Sequence, residues 1–256
     1  MGRKENMRYS KTEKLILMLT SVFAFAFTLT QSAYAMHIME GHLPLLHCIA
    51  WDVISLPFVA YGAAKLRRAL QQNRRVMILL AMSGAFVFVI SSLKIPSLTG
   101  SCSHMTGTGL AAILFGPMTA SVLSVIVLVF QSILLAHGGL TTLGANTFSM
   151  GVLGPMAAWL LYAFGKKIKL NRKANVFIAA AFGDFLTYIV TSIQLAVAFP
   201  METGGVAASA VKFLGVFAPT QIPLAVIEGL LTVLIVIGME SFAESELKEI
   251  AFLEVK

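Results

Sequence analysis

The chain of 256 residues carries five histidines, His37, His42, His47, His104 and His137. Imidazole suits borderline divalent metals such as nickel, cobalt and zinc, whereas a magnesium site would recruit carboxylates. Glu40 is the only acid close to His37. One histidine at a membrane interface is unremarkable by itself. Five on one side of a membrane would suggest metal capture, so the elements that place them matter.

The first of these elements is a leader. Arg3, Lys4, Arg8, Lys11 and Lys14 form a basic stretch, residues 15–30 are apolar, and Ala33-Tyr34-Ala35 has the A-x-A form of a cleavage site. Residues 1–35 therefore read as a secretory signal peptide, with an uncleaved first transmembrane helix as the alternative. Removal of the leader would leave residues 36–256 as a membrane-embedded, metal-binding domain. It would also make Met36 a free N-terminus followed at once by His37. A free α-amine has a pKa near 7.7–8.0 and can yield its proton to a metal. The next amide and the His37 ring then place three nitrogens within two residues. The plainer alternative is that His37 is an exposed polar residue near a chain end.

Composition requires a membrane. The chain is 57% hydrophobic and 12% charged, against about 45–50% and about 25% for soluble domains. Apolar runs at 46–64, 76–93, 118–136, 147–165, 174–199 and 216–238 approach the roughly 20 residues that cross a bilayer. The net charge is +7, clustered at 3–14, 65–75 and 166–173. Such short clusters between apolar runs are topology signals, which weighs against nucleic-acid binding. Two cysteines, Cys48 and Cys102, exclude a disulfide framework.

With Met36 outside and the basic loop 65–75 inside, the loop 94–107 falls outside and carries His104. Residues 108–136 contain a Gly116-Pro117 break. Two spans joined at that break keep the cluster 166–173 inside, although the first has only about ten residues, short for a crossing. The expected fold is an all-α integral membrane protein, a seven-transmembrane-helix bundle after signal-peptide removal. It would be multi-pass in a bacterial cytoplasmic membrane, with the mature N-terminus outside and an acidic C-terminal tail, 240–256, in the cytoplasm. Residues 200–205 form an external turn. All five histidines then lie outside.

Two loops, 97–109 and 137–146, are rich in small and hydroxyl residues and can satisfy their own backbone. Glu40, Cys102, Ser103, His137 and Asn146 are candidates to support a metal site. Cys102 is either a soft ligand or a small buried residue. Asp184 and Glu228 lie inside spans, where carboxylates default to functional hypotheses. Bonds across helices to Thr187, Gln194 or Gln221 would instead give them a structural role, which the residues favour. Small residues at 60–64 could admit a partner helix or an intramolecular neighbour. The chain carries no Walker loop, no Ser/His/Asp arrangement and no HExxH. It therefore reads as no enzyme, and active transport would need a partner or an ion gradient.

Residues 36–41 (MHIMEG), 100–109 (GSCSHMTGTG), 115–117 (FGP), 136–151 and 220–229 (TQIPLAVIEG) together resemble the CbiM/NikM family. These are substrate-capture components of energy-coupling-factor cobalt and nickel importers. The resemblance implies metal ligands at the Met36 amine, the His37 amide and ring, and the His104 ring. It implies Co(II) or Ni(II) as substrate and no resident cofactor. Four nitrogens in a near-planar field suit Ni(II) or Cu(II), and high-spin Co(II) less well. The implied partners are a transmembrane coupling protein, two cytoplasmic ATPase subunits and a small two-helix accessory membrane protein. The resemblance leans to CbiM, with cobalt feeding cobalamin synthesis and Ni(II) as the alternative. Two other classes compete. One is a proton-coupled secondary metal transporter using Asp184 and Glu228 as a relay. The other is a membrane enzyme or sensor with a structural metal.

Overall fold

Each apolar run is helical in the computed structural model, which describes residues 37–72, 76–96, 102–250 and 252. The expected signal peptide and the Met36 amine lie outside the described residues. The helices are α1 (Leu45–Gln72), α2 (Val76–Ser92), α3 (Thr108–Phe115), α4 (Pro117–Leu135) and α5 (Leu143–Asn146). A π-helical stretch, Thr147–Leu153, joins α5 to α6 (Gly154–Lys167). Then come α7 (Arg172–Ala198), α8 (Gly205–Phe242) and α9 (Glu244–Glu249). A two-residue pair, β1 (Ile95–Pro96) and β2 (Cys102–Ser103), is antiparallel, with Ile95 opposite Ser103. Among the described residues, five helical runs are long and apolar enough to cross a membrane, and α2 is a shorter apolar helix.

The break expected at Gly116-Pro117 is present. Gly116 adopts φ 84° and ψ 163°, which a side chain would disfavour, and Pro117 opens α4 at its first turn. From this corner α4 rises about 28 Å at 1.5 Å per residue, while the eight residues of α3 cover only about 12 Å. Residues 104–107 ahead of α3 are neither helix nor strand, and Gly107 sits in the left-handed region at φ 71°. Irregular backbone at membrane depth is tolerated only inside protein. Residues 103–107 and 108–114 are all buried.

Outward faces are apolar, as lipid contact requires. On α1, Leu46 is 76% exposed and Val53 64% exposed. Gly62 of the small-residue stretch packs within the chain: a Cβ there would fall 2.0 Å from the Met118 carbonyl oxygen of α4. That settles the intramolecular alternative for this residue.

One end of the bundle is a dry core. Leu79, Leu110, Val176, Val236, Met239, Leu247 and Phe252 pack together there. The expected acidic tail is partly folded into it, because α9 turns back and buries Leu247 and Phe252. Arg172 at the start of α7 bonds Glu240 near the end of α8 at 2.9 Å. The last span is also longer than expected. It starts at Gly205 rather than near Val216, because Lys212 lies on an exposed face and interrupts nothing. The connection at 199–204 falls where the turn 200–205 was expected.

Candidate metal centre

Three segments meet at the end of the bundle opposite the Gly116 corner: residues 37–41, the non-helical 103–107 segment, and the loop after α4. Each needs its backbone polar groups satisfied where helix bonds are missing.

Side chains of the spans hold the 103–107 segment. Glu228 of α8 accepts from the Thr106 amide at 2.5 Å and from the Thr106 hydroxyl at 3.0 Å. Gln221 donates to the His104 carbonyl at 3.1 Å and to Asp184 Oδ2 at 2.6 Å. The hydroxyls of Ser103 and Thr220 lie 2.7 Å apart. Asp184 thus has Gln221 as expected, while Glu228 bonds the loop rather than Thr187, Gln194 or Gln221. Thr187 and Gln194 bond the Gly183 and Ala145 carbonyls.

The loop after α4 holds residues 38–41. Ile38 donates to Asn146 Oδ1 at 2.8 Å, and its carbonyl accepts from Asn146 Nδ2 at 3.0 Å. The Thr142 hydroxyl donates to the same carbonyl at 2.6 Å. Asn146 therefore reads Ile38 as a strand partner would. Glu40 donates its amide to the Gly138 carbonyl at 3.2 Å. Its carboxylate accepts from the amides of Leu140 at 2.5 Å and Thr141 at 3.2 Å. The Thr141 bonds, its side chain first, hold the Glu40 carboxyl below the ordinary range. The approach needs glycine at 139, where a Cβ would fall 2.5 Å from Glu40 Cα.

These segments bring together His37, His104 and His137, with exposures of 2%, 0% and 0%. Ring centroids lie 4.2 Å apart for His37 and His104, 4.6 Å for His37 and His137, and 4.8 Å for His104 and His137. One potential ligand atom from each lies within 4.8 Å of the others. Donors on an ion bonded at about 2.1 Å stand about 3.0–4.2 Å apart, so the rings need to draw in by up to about 1–2 Å to close the site. His104 Nδ1 is 2.8 Å from the Met105 carbonyl. A carbonyl only accepts, so the proton is on Nδ1 and the Nε2 lone pair is free. His37 Nε2, His104 Nε2 and both His137 ring nitrogens are buried without a hydrogen-bond partner.

Burial keeps the rings neutral. Desolvation pushes His137 down to about 2. His37 is lowered by desolvation first, then by the two neighbouring rings. A neutral imidazole is the form that binds a metal.

Of the sequence candidates, Ser103, Glu40 and Asn146 position the segments, and His137, expected in support, stands inside the cluster itself. Met36 and the Cys102 side chain lie outside the described residues. His42 packs against Phe199 with centroids 5.1 Å apart and does not join the cluster, nor does His47. Thr106 and Thr142 were not among the site candidates. Their only signal was membership of the two hydroxyl-rich loops.

The fold and the cluster define a multi-pass helical membrane protein with a buried candidate site for a transition-metal ion. The chain belongs to the CbiM family: the family model described as cobalt uptake substrate-specific transmembrane region matches residues 37–245. A cobalt transport protein CbiM of Lachnoclostridium phytofermentans is 56% identical over 241 residues, 94% of this chain and 96% of that one. Another from a Nostoc species is 52% identical over 93% of this chain and 92% of that one. A crystal structure of a truncated transition metal transporter matches with a TM-score of 0.71 at 24% identity, covering 80% of this chain and 99% of that chain, a likeness of fold. The chain is a membrane transport component rather than an enzyme.

Proposed function

We propose that the chain captures Co(II) at the outer face of a bacterial cytoplasmic membrane, as the substrate-specific component of an energy-coupling-factor importer. One observation carries this reading: three buried, neutral imidazoles converge with unpartnered nitrogens. Leaving such groups empty inside a bundle is costly. A borderline divalent cation bound by His37 and His104 satisfies two of them. The cobalt transport relatives support cobalt as the cargo.

The ligands are the Met36 amine, the amide and ring of His37, and the His104 ring. Leader cleavage frees the amine, and the Asn146 clamp on Ile38 fixes the chain directly after the ligand pair. The mature chain crosses seven times, with its N-terminus outside and its C-terminus in the cytoplasm. The crossings are α1, α2, α3 with the non-helical segment ahead of it, α4, the run from α5 to α6, α7 and α8. Energy comes from two ATPase subunits acting through a transmembrane coupling protein, with a small two-helix accessory protein alongside. The imported cobalt feeds cobalamin synthesis.

Elemental analysis of the purified mature protein should find one cobalt per chain. His37→Ala and His104→Ala should each lose it while the protein stays folded, and normal metal content in either would refute the site. One extra residue ahead of Met36 should cripple uptake by displacing the amine. Uptake that survives inactivation of the partner ATPase would favour a proton-driven carrier instead.

A further inference from the structure

The capture reading leaves one imidazole unused. His137 is fully buried, and neither ring nitrogen has a hydrogen-bond partner. His104 differs, because its ring is pinned through Nδ1 to the Met105 carbonyl. His137 is held only by its backbone, whose amide donates to the Gln131 carbonyl at 3.1 Å. Its ring can therefore turn without breaking a bond.

The backbone is bent to place it. Ala136, just before it, sits in the left-handed region at φ 46°. Such a conformation is unfavourable for a residue with a Cβ and persists where the surroundings impose it. Without that reversal the chain would continue α4 and carry residue 137 away from the cluster.

The position of the ring is specific. It lies nearly parallel to the His37 ring, with planes 26° apart and centroids 4.6 Å apart. It is close to perpendicular to His104, at 87°. A ligand plane that contains the His37 ring has His137 on one of its faces. The proposed amine, amide and two ring nitrogens supply four donors in that plane. Such a planar field suits Ni(II) or Cu(II). A donor on the open face converts it to a five-coordinate one.

We propose that His137 turns about its Cβ–Cγ bond and supplies an axial fifth nitrogen to the captured ion, which makes the site selective for Co(II) over Ni(II). The proposal rests on the capture reading and assigns His137 a ligand role within it. High-spin Co(II) accepts a fifth donor readily, whereas planar Ni(II) gains little from one. The free nitrogens of His137 then have a use, and the conflict between a planar field and a cobalt cargo is removed.

The test uses the purified mature protein loaded with Co(II) alone. X-ray absorption at the cobalt edge should show three imidazoles in the first shell. His137→Phe fills the same space without a donor. It should reduce the count to two imidazoles and lower the Co(II):Ni(II) affinity ratio at least about tenfold. Two imidazoles in the wild type would overturn the proposal, and that measurement needs no variant to fold. An unchanged spectrum and ratio in His137→Phe would also overturn it. Absence of bound cobalt in the wild type would instead overturn the capture reading itself.

Discussion

Residues 103–107 take their hydrogen bonds from side chains of the surrounding spans, whereas residues 137–142 bond to residues 38–41, which fold over them. The first segment lies within the bundle, and Glu228 and Gln221 reach it from α8. The second lies at the bundle end and clamps Ile38 and Glu40 through Asn146, Thr142 and its own amides. His104 is thereby fixed by the spans before any ion arrives, and His37 depends on the loop that holds the residues just after it. The 103–107 segment belongs to the scaffold, and the 137–142 loop is a receptor for residues 38–41. Damage to the first should be a folding defect, and damage to the second a binding defect.

The largest effect should come from Glu228. Glu228→Leu orphans the Thr106 amide and hydroxyl inside the bundle, at about 1–3 kcal/mol for each group. Expected outcomes are poor yield and a lowered melting temperature of the detergent-solubilised protein. Glu228→Gln keeps an acceptor oxygen for Thr106 and should restore both folding and uptake. If Glu228→Gln folds and binds cobalt but transports none, ionisation of Glu228 serves transport and a proton relay gains ground.

The helices behind this division were legible in the sequence, because hydrophobic runs place them. The Gly116-Pro117 break was readable for a local reason: one residue needs a positive φ and the next lacks an amide hydrogen. The extent of α8 was not readable, since Lys212 marks a span boundary by composition and only the fold exposes its side chain. All five histidines were residue types that bind metals, and the family resemblance singled out His37 and His104. Asn146 was a candidate to support the site, but its partner was not readable, because the pairing with Ile38 spans 108 residues of sequence and leaves no periodic trace. His137 looked like one more loop histidine until the left-handed turn at Ala136 brought it to the others.

A smaller effect, confined to binding, should follow from Asn146→Ala. It removes both bonds to the Ile38 backbone but leaves the Thr142 hydroxyl on the Ile38 carbonyl. Loss of supporting bonds behind a metal ligand typically weakens affinity about 10–100-fold. Cobalt titration should show a loss in that range with little change in thermal stability. Asn146→Asp keeps the acceptor for the Ile38 amide and loses the donor, so it should fall between. A drop in stability as large as that of Glu228→Leu would erase the distinction between the two segments.

The smallest effect is expected at Glu40. Its carboxylate accepts from the Leu140 and Thr141 amides but is exposed to solvent. Exposed charge contacts contribute little, so Glu40→Gln should weaken cobalt binding by about two- to fivefold. The direction with pH follows from the lowered Glu40 pKa. A carboxyl held below its ordinary value contributes stability above the unfolded pKa and loses it as pH falls through the folded one. The difference between wild type and Glu40→Gln should therefore be constant from pH 8 to about 5 and vanish in more acid solution. A difference that grew on acidification would mean that the carboxylate does not hold residues 38–41 in place. The 137–142 loop would then grip it through backbone and amide contacts alone.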